Sequence, residues 1–196
     1  MRRFNQKWFA GETISIGIGQ GYNAYTPLQL AQAIAMLAND GVSYRPHIVD
    51  YIEDFRSRAR TPLESRRLRE LKLKREHLAV VKEALIGVNK EGTAARSFAG
   101  AAYVSAGKTG TAQVIGVKQG EKYVESRVQE ELRDHSLFIA YAPAENPRIA
   151  LAVVVENAGF GARAAAPLAR KVLDYYLLGK LPAPEKRGKD NDASNS

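Results

Sequence analysis

The residues of this chain best suited to chemistry lie together at positions 107–114, where the sequence reads Gly-Lys-Thr-Gly-Thr-Ala-Gln-Val. Lys108 carries a fixed positive charge, and the hydroxyls of Thr109 and Thr111 can donate hydrogen bonds to an anion. Gly110 has no side chain, so a bound molecule could lie close to the backbone. The chemistry of the segment depends on whether Lys108 begins a helix or belongs to a strand.

The first interpretation is a nucleotide-binding P-loop, because Gly107, Lys108 and Thr109 match the end of that motif. The full pattern requires glycine at the position that Ala102 occupies. A P-loop lysine also begins a helix whose amides hold phosphate, whereas Lys108 is followed by residues that favour a strand. The P-loop is therefore the alternative interpretation, and a helix at residues 108–115 would support it.

A second glycine-rich segment, Gly17-Ile-Gly-Gln-Gly21, follows a strand predicted for residues 12–18 and precedes a helix that begins near Thr26. This order resembles a dinucleotide-binding fingerprint. The third glycine comes one residue early, with Tyr22 in its place, and the helix begins too late to hold a phosphate at its terminus. The sequence instead indicates a tight loop that approaches another backbone closely.

Three helices and an extended segment are predicted around these glycine-rich segments. Thr26, Pro27 and Gln29 form a capping box with proline at the first helical position, and the helix ends at Asn39-Asp40-Gly41. The pattern of apolar residues predicts two further helices, one from about residue 75 to 89 and one from 164 to 178. The sequence between Val42 and Ile52 is typical of extended chain with a break at Pro46.

Three strand-like runs complete the pattern. The first comprises residues 102–106 and 108–117, the second residues 136–142 and the third residues 148–156. A charged connection, 118–134, separates the first two, and the turn Pro143–Pro147 makes the last two a hairpin. These elements predict an α+β fold of the α/β sandwich type, in which helices flank an antiparallel sheet.

Composition limits the classes of function. The 196 residues include no cysteine, which excludes disulfides and thiolate metal sites, and no apolar run reaches eighteen residues. Much of the net charge of +8 comes from residues 54–76, which contain nine Lys or Arg and four Asp or Glu. Phe55 is the single aromatic residue in this segment. Lacking interleaved aromatic residues, this segment is interpreted as a solvated, partly helical excursion and not a nucleic-acid surface. His47, His77 and His135 lack the spacing of a metal site, so neither a metal nor a cofactor is predicted.

Four segments, taken together and in this order, resemble the class B penicillin-binding proteins. They are 11–22 (Gly-Glu-Thr-Ile-Ser-Ile-Gly-Ile-Gly-Gln-Gly-Tyr), 26–31 (Thr-Pro-Leu-Gln-Leu-Ala), 39–41 (Asn-Asp-Gly) and 107–114. The sequence from Asp134-His135 into Phe138-Ile-Ala-Tyr-Ala-Pro143 is similar to the penicillin-binding protein 2 group. The resemblance covers about residues 5–179 and implies the penicillin-binding or serine β-lactamase-like transpeptidase fold.

The resemblance implies a serine-type peptidoglycan D,D-transpeptidase, an enzyme of cell-wall synthesis that cross-links D-Ala-D-Ala stem peptides and reacts with β-lactams. It assigns catalytic roles to Lys108 and Thr111 and substrate binding to Thr109, Gly110 and Thr111. The two hydroxyls would bind the terminal carboxylate, the peptide would pair with the strand edge, and the Thr111 amide would donate to the oxyanion. Because Lys108 and Thr109 point to opposite sides of a strand, the site must wrap an exposed edge.

Two other elements of the family, Ser-x-x-Lys and Ser-x-Asn, have no credible copy here. Ser105 and Lys108 fit the first by letters alone, but on a strand they point in opposite directions, so Ser105 is interpreted as an ordinary strand residue. We therefore expect residues 1–179 to be the C-terminal portion of a transpeptidase domain, incomplete at its N-terminal side and inactive alone, with exposed strand edges. Residues 180–196 are predicted to form a polar, disordered tail. A non-catalytic module of the same fold remains a further alternative.

The resemblance also implies partners and a location. The expected partners are peptidoglycan stem peptides, β-lactams and a membrane glycosyltransferase of the cell-elongation machinery that determines cell shape, with no nucleic acid. The expected location is the periplasmic face of the bacterial inner membrane, with an anchor that this chain does not contain.

Overall fold

The computed structural model describes residues 7–115 and 128–181, which form an antiparallel central sheet with helices on both faces. The helices are α1 Ala10–Gly17, α2 Pro27–Ala38, α3 Arg75–Lys90, α4 Ala95–Phe98 and α5 Ala165–Leu178. The strands are β1 Val42–Tyr44, β2 Tyr51–Glu53, β3 Arg60–Pro62, β4 Arg67–Glu70, β5 Ala106–Ala112, β6 His135–Ala142 and β7 Ile149–Val155. This arrangement confirms the predicted α+β sandwich.

The central sheet has the strand order β5, β6, β7, and both pairs are antiparallel. Successive residues of β6 face opposite helical layers, as the period of a strand requires. Phe138 and Ala140 are fully buried in a core that includes α5, whereas Tyr141 is fully buried in a core that includes α2. The predicted hairpin is confirmed, since β6 and β7 are consecutive in the chain and paired along their length.

Small residues bring α5 close to one face of the sheet. Ala165, Ala166 and Ala169 are fully buried against β6 and β7, and Leu173 is fully buried further along the helix. Burial of a leucine side chain contributes about 1.5–3 kcal/mol, so Leu173 helps to hold α5 against the sheet. On the opposite face, Ile34 of α2 is fully buried.

The three helices predicted from apolar spacing are confirmed within one residue at each end. The capping box of α2 is present: the Thr26 hydroxyl accepts a hydrogen bond from Gln29 N at 3.2 Å, and Gln29 Oε1 accepts one from Thr26 N at 2.9 Å. After α2 the chain reverses at Gly41, which has a φ of 93°. A side chain there would be strained, and its Cβ would lie 2.7 Å from the Leu71 carbonyl oxygen.

The strand predicted for residues 12–18 is wrong, because the chain forms the helix α1 over Ala10–Gly17. Ile14 and Ile18 alternate with polar residues, but both are exposed, at 72% and 73% of their surface. An alternating pattern stabilises a strand only when a neighbouring strand pairs with it, and within the described residues none pairs with this segment. Its backbone is therefore satisfied locally, for example by the bond from Ile18 N to the Ile14 carbonyl at 3.2 Å.

The basic segment at residues 54–76 is solvated as predicted, but the expectation of partial helix is wrong up to Lys74. β3 pairs antiparallel with β2, and β4 pairs antiparallel with β1. Contacts between the side chains of β2 and β3 support the pairing of these two strands. Arg60 lies 2.8 Å from Glu53, and its guanidinium stacks 4.5 Å from the ring centre of Tyr51. Cross-strand contacts of this kind favour hairpins over isolated helix in an exposed, charged segment. Pro46 lies in the break between β1 and β2, as predicted.

The first strand run is shorter than predicted. β5 occupies Ala106–Ala112, residues 102–105 are not in a strand, and residues 116 and 117 lie outside the described part of the chain. Of the charged connection at 118–134, the described residues 128–134 contain a 3-10 turn at Glu130–Leu132. The predicted tail lies outside the described residues from position 182 onward. No helix in the described ranges is both long enough and apolar enough to span a membrane.

Candidate functional site

Lys108 lies inside strand β5, paired with Ile139 of β6. The P-loop interpretation is therefore wrong, because it requires the lysine to begin a helix whose amides face a phosphate. The run of Thr, Ala, Gln and Val after Gly110 favours extended structure, and β6 supplies the neighbouring strand that stabilises it.

β5 is an edge strand, since β6 is its single paired neighbour among the residues that the structure describes. Its register places Lys108 and Gly110 on the α2 side of the sheet, opposite Ile139 and Leu137. Thr109 is paired with Phe138, and Thr111 follows two residues later, so both threonines lie on the α5 side. Lys108 is exposed, whereas the three following residues are half-buried.

Two side chains bind backbone carbonyls on the open side of β5. Gln20 Nε2 donates to the Thr111 carbonyl at 2.8 Å, and Lys108 Nζ donates to the Thr109 carbonyl at 2.8 Å. In an antiparallel strand the amide and carbonyl of one residue point to the same side, so the amides of Thr109 and Thr111 also face this edge. The lysine thus reaches around the edge of β5 from the α2 side.

Gln20 was not predicted as a site residue, and it explains the glycine-rich loop between α1 and α2. Gly19 and Gly21 have φ values of 81° and 68°, a left-handed conformation that favours glycine. Asn23 Nδ2 closes the loop by donating to the carbonyls of Ile16 and Gln20 at 3.0 and 3.1 Å. A helix, not a strand, precedes this loop, so the fingerprint resemblance has no structural basis. The predicted close approach of the glycines to another backbone is wrong for the described residues. An added Cβ would meet nothing within 4 Å at Gly17 or Gly19 and only side chains at Gly21, and the loop reaches Thr111 through the Gln20 side chain.

Ser105 is separate from the exposed edge. Its side chain is 4% exposed, and its hydroxyl accepts a hydrogen bond from Asn89 Nδ2 at 2.9 Å. Lys108 is exposed and its ammonium group binds the Thr109 carbonyl. The serine and the lysine therefore do not form a nucleophile and base pair, as expected. The prediction that Ser105 is a strand residue is wrong, because Ser105 directly precedes β5.

The connection between α3 and α4 also reaches the site, which the sequence did not predict. Thr93 Oγ1 lies 2.8 Å from Thr109 Oγ1. Thr93, Lys108 and residues on one face of α3 line a cavity of about 540 Å³. Its polar lining includes Glu83, Lys90 and Glu91, so the open edge of β5 adjoins a charged cleft.

The loop after β7 supports β5 from the α5 side. Gly161 packs so closely that an added Cβ would lie 2.5 Å from the Gly110 carbonyl oxygen and would also clash with the Leu137 carbonyl oxygen. Ser136 Oγ is fully buried beneath this loop, where it donates to the Phe160 carbonyl at 3.1 Å and accepts from Ala165 N at 3.0 Å. Gly161 was not singled out by the sequence analysis, although it lies in a glycine pair around Phe160.

The three histidines have structural contacts. His135 Nδ1 accepts from Asn157 N at 3.0 Å, and Asn157 Nδ2 donates to the carbonyls of Glu131 and Arg133. His47 Nδ1 lies 2.7 Å from the Val49 carbonyl, and His77 is exposed on α3. Across residues 7–115 and 128–181, no three His, Asp or Glu side chains come together as a metal site would require.

Comparison with known proteins identifies one family over most of the chain. Residues 3–174 match the family model of the penicillin binding protein transpeptidase domain. The peptidoglycan D,D-transpeptidase MrdA of Haemophilus influenzae is 43% identical over 190 residues, covering 94% of this chain and 29% of that protein. The chain therefore spans less than a third of the length of this relative.

Solved structures support the same relationship. A crystal structure of Pseudomonas aeruginosa PBP2 in complex with WCK 5153 is 39% identical, with a TM-score of 0.72 over 95% of this chain and 38% of that one. A peptidoglycan synthase complex that coordinates polymerization and crosslinking contains a chain that is 29% identical, with a TM-score of 0.69 over 91% of this chain and 28% of that chain.

Proposed function

The chain belongs to the family of penicillin-binding protein transpeptidase domains, and on that basis we propose that it supplies the substrate-binding edge of a peptidoglycan D,D-transpeptidase. The observation that carries this proposal is the position of Lys108, Thr109, Gly110 and Thr111 on an edge strand beside a charged cleft. An open strand edge can bind an extended peptide by backbone pairing, and a lysine with two hydroxyls suits the terminal carboxylate.

Each residue of the segment has a role in this proposal. The stem peptide pairs with the amides of Thr109 and Thr111, which face the open edge, whereas the carbonyls of these residues accept hydrogen bonds from Lys108 and Gln20. The two hydroxyls bind the carboxylate of the terminal D-alanine, and Lys108 provides positive charge from the other side of the edge. Gly110 leaves room for the peptide, and the Thr111 amide donates to the oxyanion that forms during acyl transfer.

The reaction requires a serine that this chain does not offer. Ser105 is the single serine with a lysine three residues later, and it is buried against Asn89. We propose that residues 1–179 form the C-terminal portion of the domain, and that the serine lies on a Ser-x-x-Lys segment outside this sequence. The oxygen of this serine bonds to the carbonyl carbon of the penultimate D-alanine. The peptide C–N bond then breaks, and the terminal D-alanine leaves with the proton that the serine gives up. An amine from a neighbouring peptide then displaces the serine and restores the peptide bond.

The same proposal extends to ligands, partners and location. A β-lactam would bind where the peptide binds, because both present an acyl group and a carboxylate to the β5 edge. The similarity to a chain of a complex that polymerizes and crosslinks peptidoglycan supports a membrane glycosyltransferase as partner. The proposed role in cell-wall cross-linking supports a location on the periplasmic face of the bacterial inner membrane.

A hybrid transpeptidase tests the proposed function. In it, this chain replaces the segment of the Haemophilus influenzae relative that it matches, so the relative supplies the remaining 71% of the protein. We expect covalent labelling by a fluorescent penicillin. Thr111→Val should lower the acylation efficiency by about 10- to 100-fold, because a charge-assisted hydrogen bond to the carboxylate is lost and the strand edge is disturbed.

The matched control is Thr61→Val, at an exposed threonine on β3 outside the site. It should leave labelling unchanged. A folded hybrid that takes up no penicillin, or one in which Thr111→Val labels at the parental rate, would contradict the proposal. The isolated chain provides a second test, because stoichiometric acylation seen by mass spectrometry would show that the nucleophile lies within residues 1–196.

A further inference from the structure

We infer that Thr93 is a positioning residue for the carboxylate subsite, where it orients the hydroxyl of Thr109 toward the substrate. This inference rests on the proposed function. The main evidence for it is the 2.8 Å distance between Thr93 Oγ1 and Thr109 Oγ1, two hydroxyls that are 16 residues apart in the sequence. Thr93 also lines the cleft that contains Lys108, so it lies at the border between the sheet edge and α3.

The backbone on both sides of Thr93 is fixed by hydrogen bonds that end α3. Gly92 N donates to the Gly87 carbonyl at 2.8 Å, and Ala94 N donates to the Val88 carbonyl at 3.0 Å. Ala94 is fully buried, and a Cβ at position 92 would lie 2.8 Å from the Val88 Cα. This tight turn fixes the backbone on both sides of Thr93, from which the Thr93 hydroxyl reaches Thr109.

The chemistry of a hydroxyl pair gives Thr93 a defined role. A hydroxyl donates one hydrogen bond and accepts up to two. If Thr93 donates to Thr109, the proton of Thr109 is free for the substrate carboxylate, and the Thr109 hydroxyl is polarised to donate it more strongly. If Thr109 instead donated to Thr93, the Thr109 proton would be used in that hydrogen bond and would not be available to the substrate carboxylate. A bound carboxylate selects the first direction, because a carboxylate accepts hydrogen bonds and cannot donate them.

Thr93 therefore acts through Thr109 and not by contact with the reacting atoms. Its removal should weaken the non-covalent complex with a carboxylate-bearing ligand while the acylation rate constant stays near its parental value. If Thr93 had a purely structural role, its removal would lower the stability of the protein and would not weaken the non-covalent complex relative to the acylation rate constant. Loss of one neutral hydrogen bond contributes about 0.5–1.5 kcal/mol, which corresponds to a two- to twelvefold weaker complex.

The experiment uses the hybrid transpeptidase and benzylpenicillin as the probe. Thr93→Val keeps the shape of the side chain and removes the hydroxyl, whereas Thr93→Ser keeps the hydroxyl and serves as the conservative variant. Stopped-flow acylation at several concentrations separates the dissociation constant from the acylation rate constant. We expect a two- to twelvefold higher dissociation constant for Thr93→Val and near-parental behaviour for Thr93→Ser. The substitution should have little additional effect in a Thr109→Val background, because the two residues act as a unit.

The possible outcomes separate this inference from the proposed function. An unsubstituted hybrid that is not acylated would refute the proposed function and this inference with it. A hybrid that is acylated normally while Thr93→Val keeps the parental dissociation constant would refute the inference alone. An equally large effect of Thr93→Val with and without Thr109 would also refute it, since Thr93 would then act independently. Thermal unfolding of each variant identifies any loss that comes from misfolding.

Discussion

Replacement of Gly161 by alanine should displace the β5 edge although no residue of β5 is itself substituted. The added methyl group would lie 2.5 Å from the Gly110 carbonyl oxygen, about 0.9 Å less than the 3.4 Å at which ordinary contact begins. It would also clash with the Leu137 carbonyl oxygen and approach Gly110 N to 3.0 Å. All three atoms belong to the backbone of paired strands, so no flexible side chain can move aside.

The size of the effect follows from this geometry. Either the loop after β7 moves outward or the paired residues Gly110 and Leu137 move together, in each case by somewhat less than 1 Å. Overpacking of this kind destabilises a fold by about 1–3 kcal/mol. A displacement of about 1 Å at a reacting centre lowers the rate by about 100-fold. We therefore expect Gly161→Ala to lower acylation of the hybrid by 10- to 100-fold, with a smaller proportional loss of stability.

The assay combines penicillin acylation of the hybrid with urea unfolding of the same protein. Gly11→Ala is the matched control, because it adds the same methyl group at a helical glycine with open space around the new Cβ. That control should keep full activity. Parental acylation and stability for Gly161→Ala would mean that the loop does not hold β5 in place.

Two further predictions concern the stability of the chain. Thr26→Ala removes the capping box of α2 and should lower the free energy of unfolding by about 1 kcal/mol, measured by urea denaturation; an unchanged midpoint would contradict the capping role. Asp174 is partly buried, which raises the pKa of its carboxyl, but hydrogen bonds from Arg170 and Tyr103 outweigh burial and hold that pKa below its usual value. The ionised Asp174 carboxylate should therefore stabilise the fold at any pH above the pKa that Asp174 has in the unfolded chain. This stabilisation should be lost as the pH falls through the lower pKa that Asp174 has in the folded protein. Asp174→Asn should reduce stability at pH 7 by about 1–2 kcal/mol and flatten its dependence on pH below about 4, and an unaltered pH profile would count against the pairing.

Local signals in the sequence predicted most of the fold. The capping residues Thr26 and Gln29 located α2, and the strand-forming residues after Lys108 located β5, because both depend on interactions between near neighbours in the chain. The prediction that the site segment lies on an edge strand came instead from the family resemblance, and β5 is an edge strand among the described residues. The alternation of apolar and polar residues around Ile14 led to the wrong prediction of a strand. Such a pattern shows which residues share a face, but it cannot show whether another strand is available to pair with the segment.

The residues that surround the site segment could not be predicted, because they reach it through tertiary contacts. Gln20 binds Thr111 across 91 positions of sequence, and Gly161 packs on Gly110 across 51 positions. Neither contact leaves a local pattern in the sequence beyond the presence of glycine. Thr93 lies closer in sequence to Thr109, but their contact depends on the turn at the end of α3. The sequence thus indicates which residues carry the chemistry, and the packing of distant loops decides how they are held.

The two outer strands of the central sheet differ in their tendency to self-associate. β5 contains Lys108 and two glycines, and a charged residue on an edge discourages the pairing of identical strands while leaving the edge available to a peptide. β7 consists of seven apolar residues, Ile149–Val155, and pairs on one side alone among the described residues. An uncovered strand of this composition is a template for cross-β aggregation. In solution, preparations of the isolated chain should therefore aggregate through β7 and not through the β5 edge, and a strand that covers β7 should restore solubility.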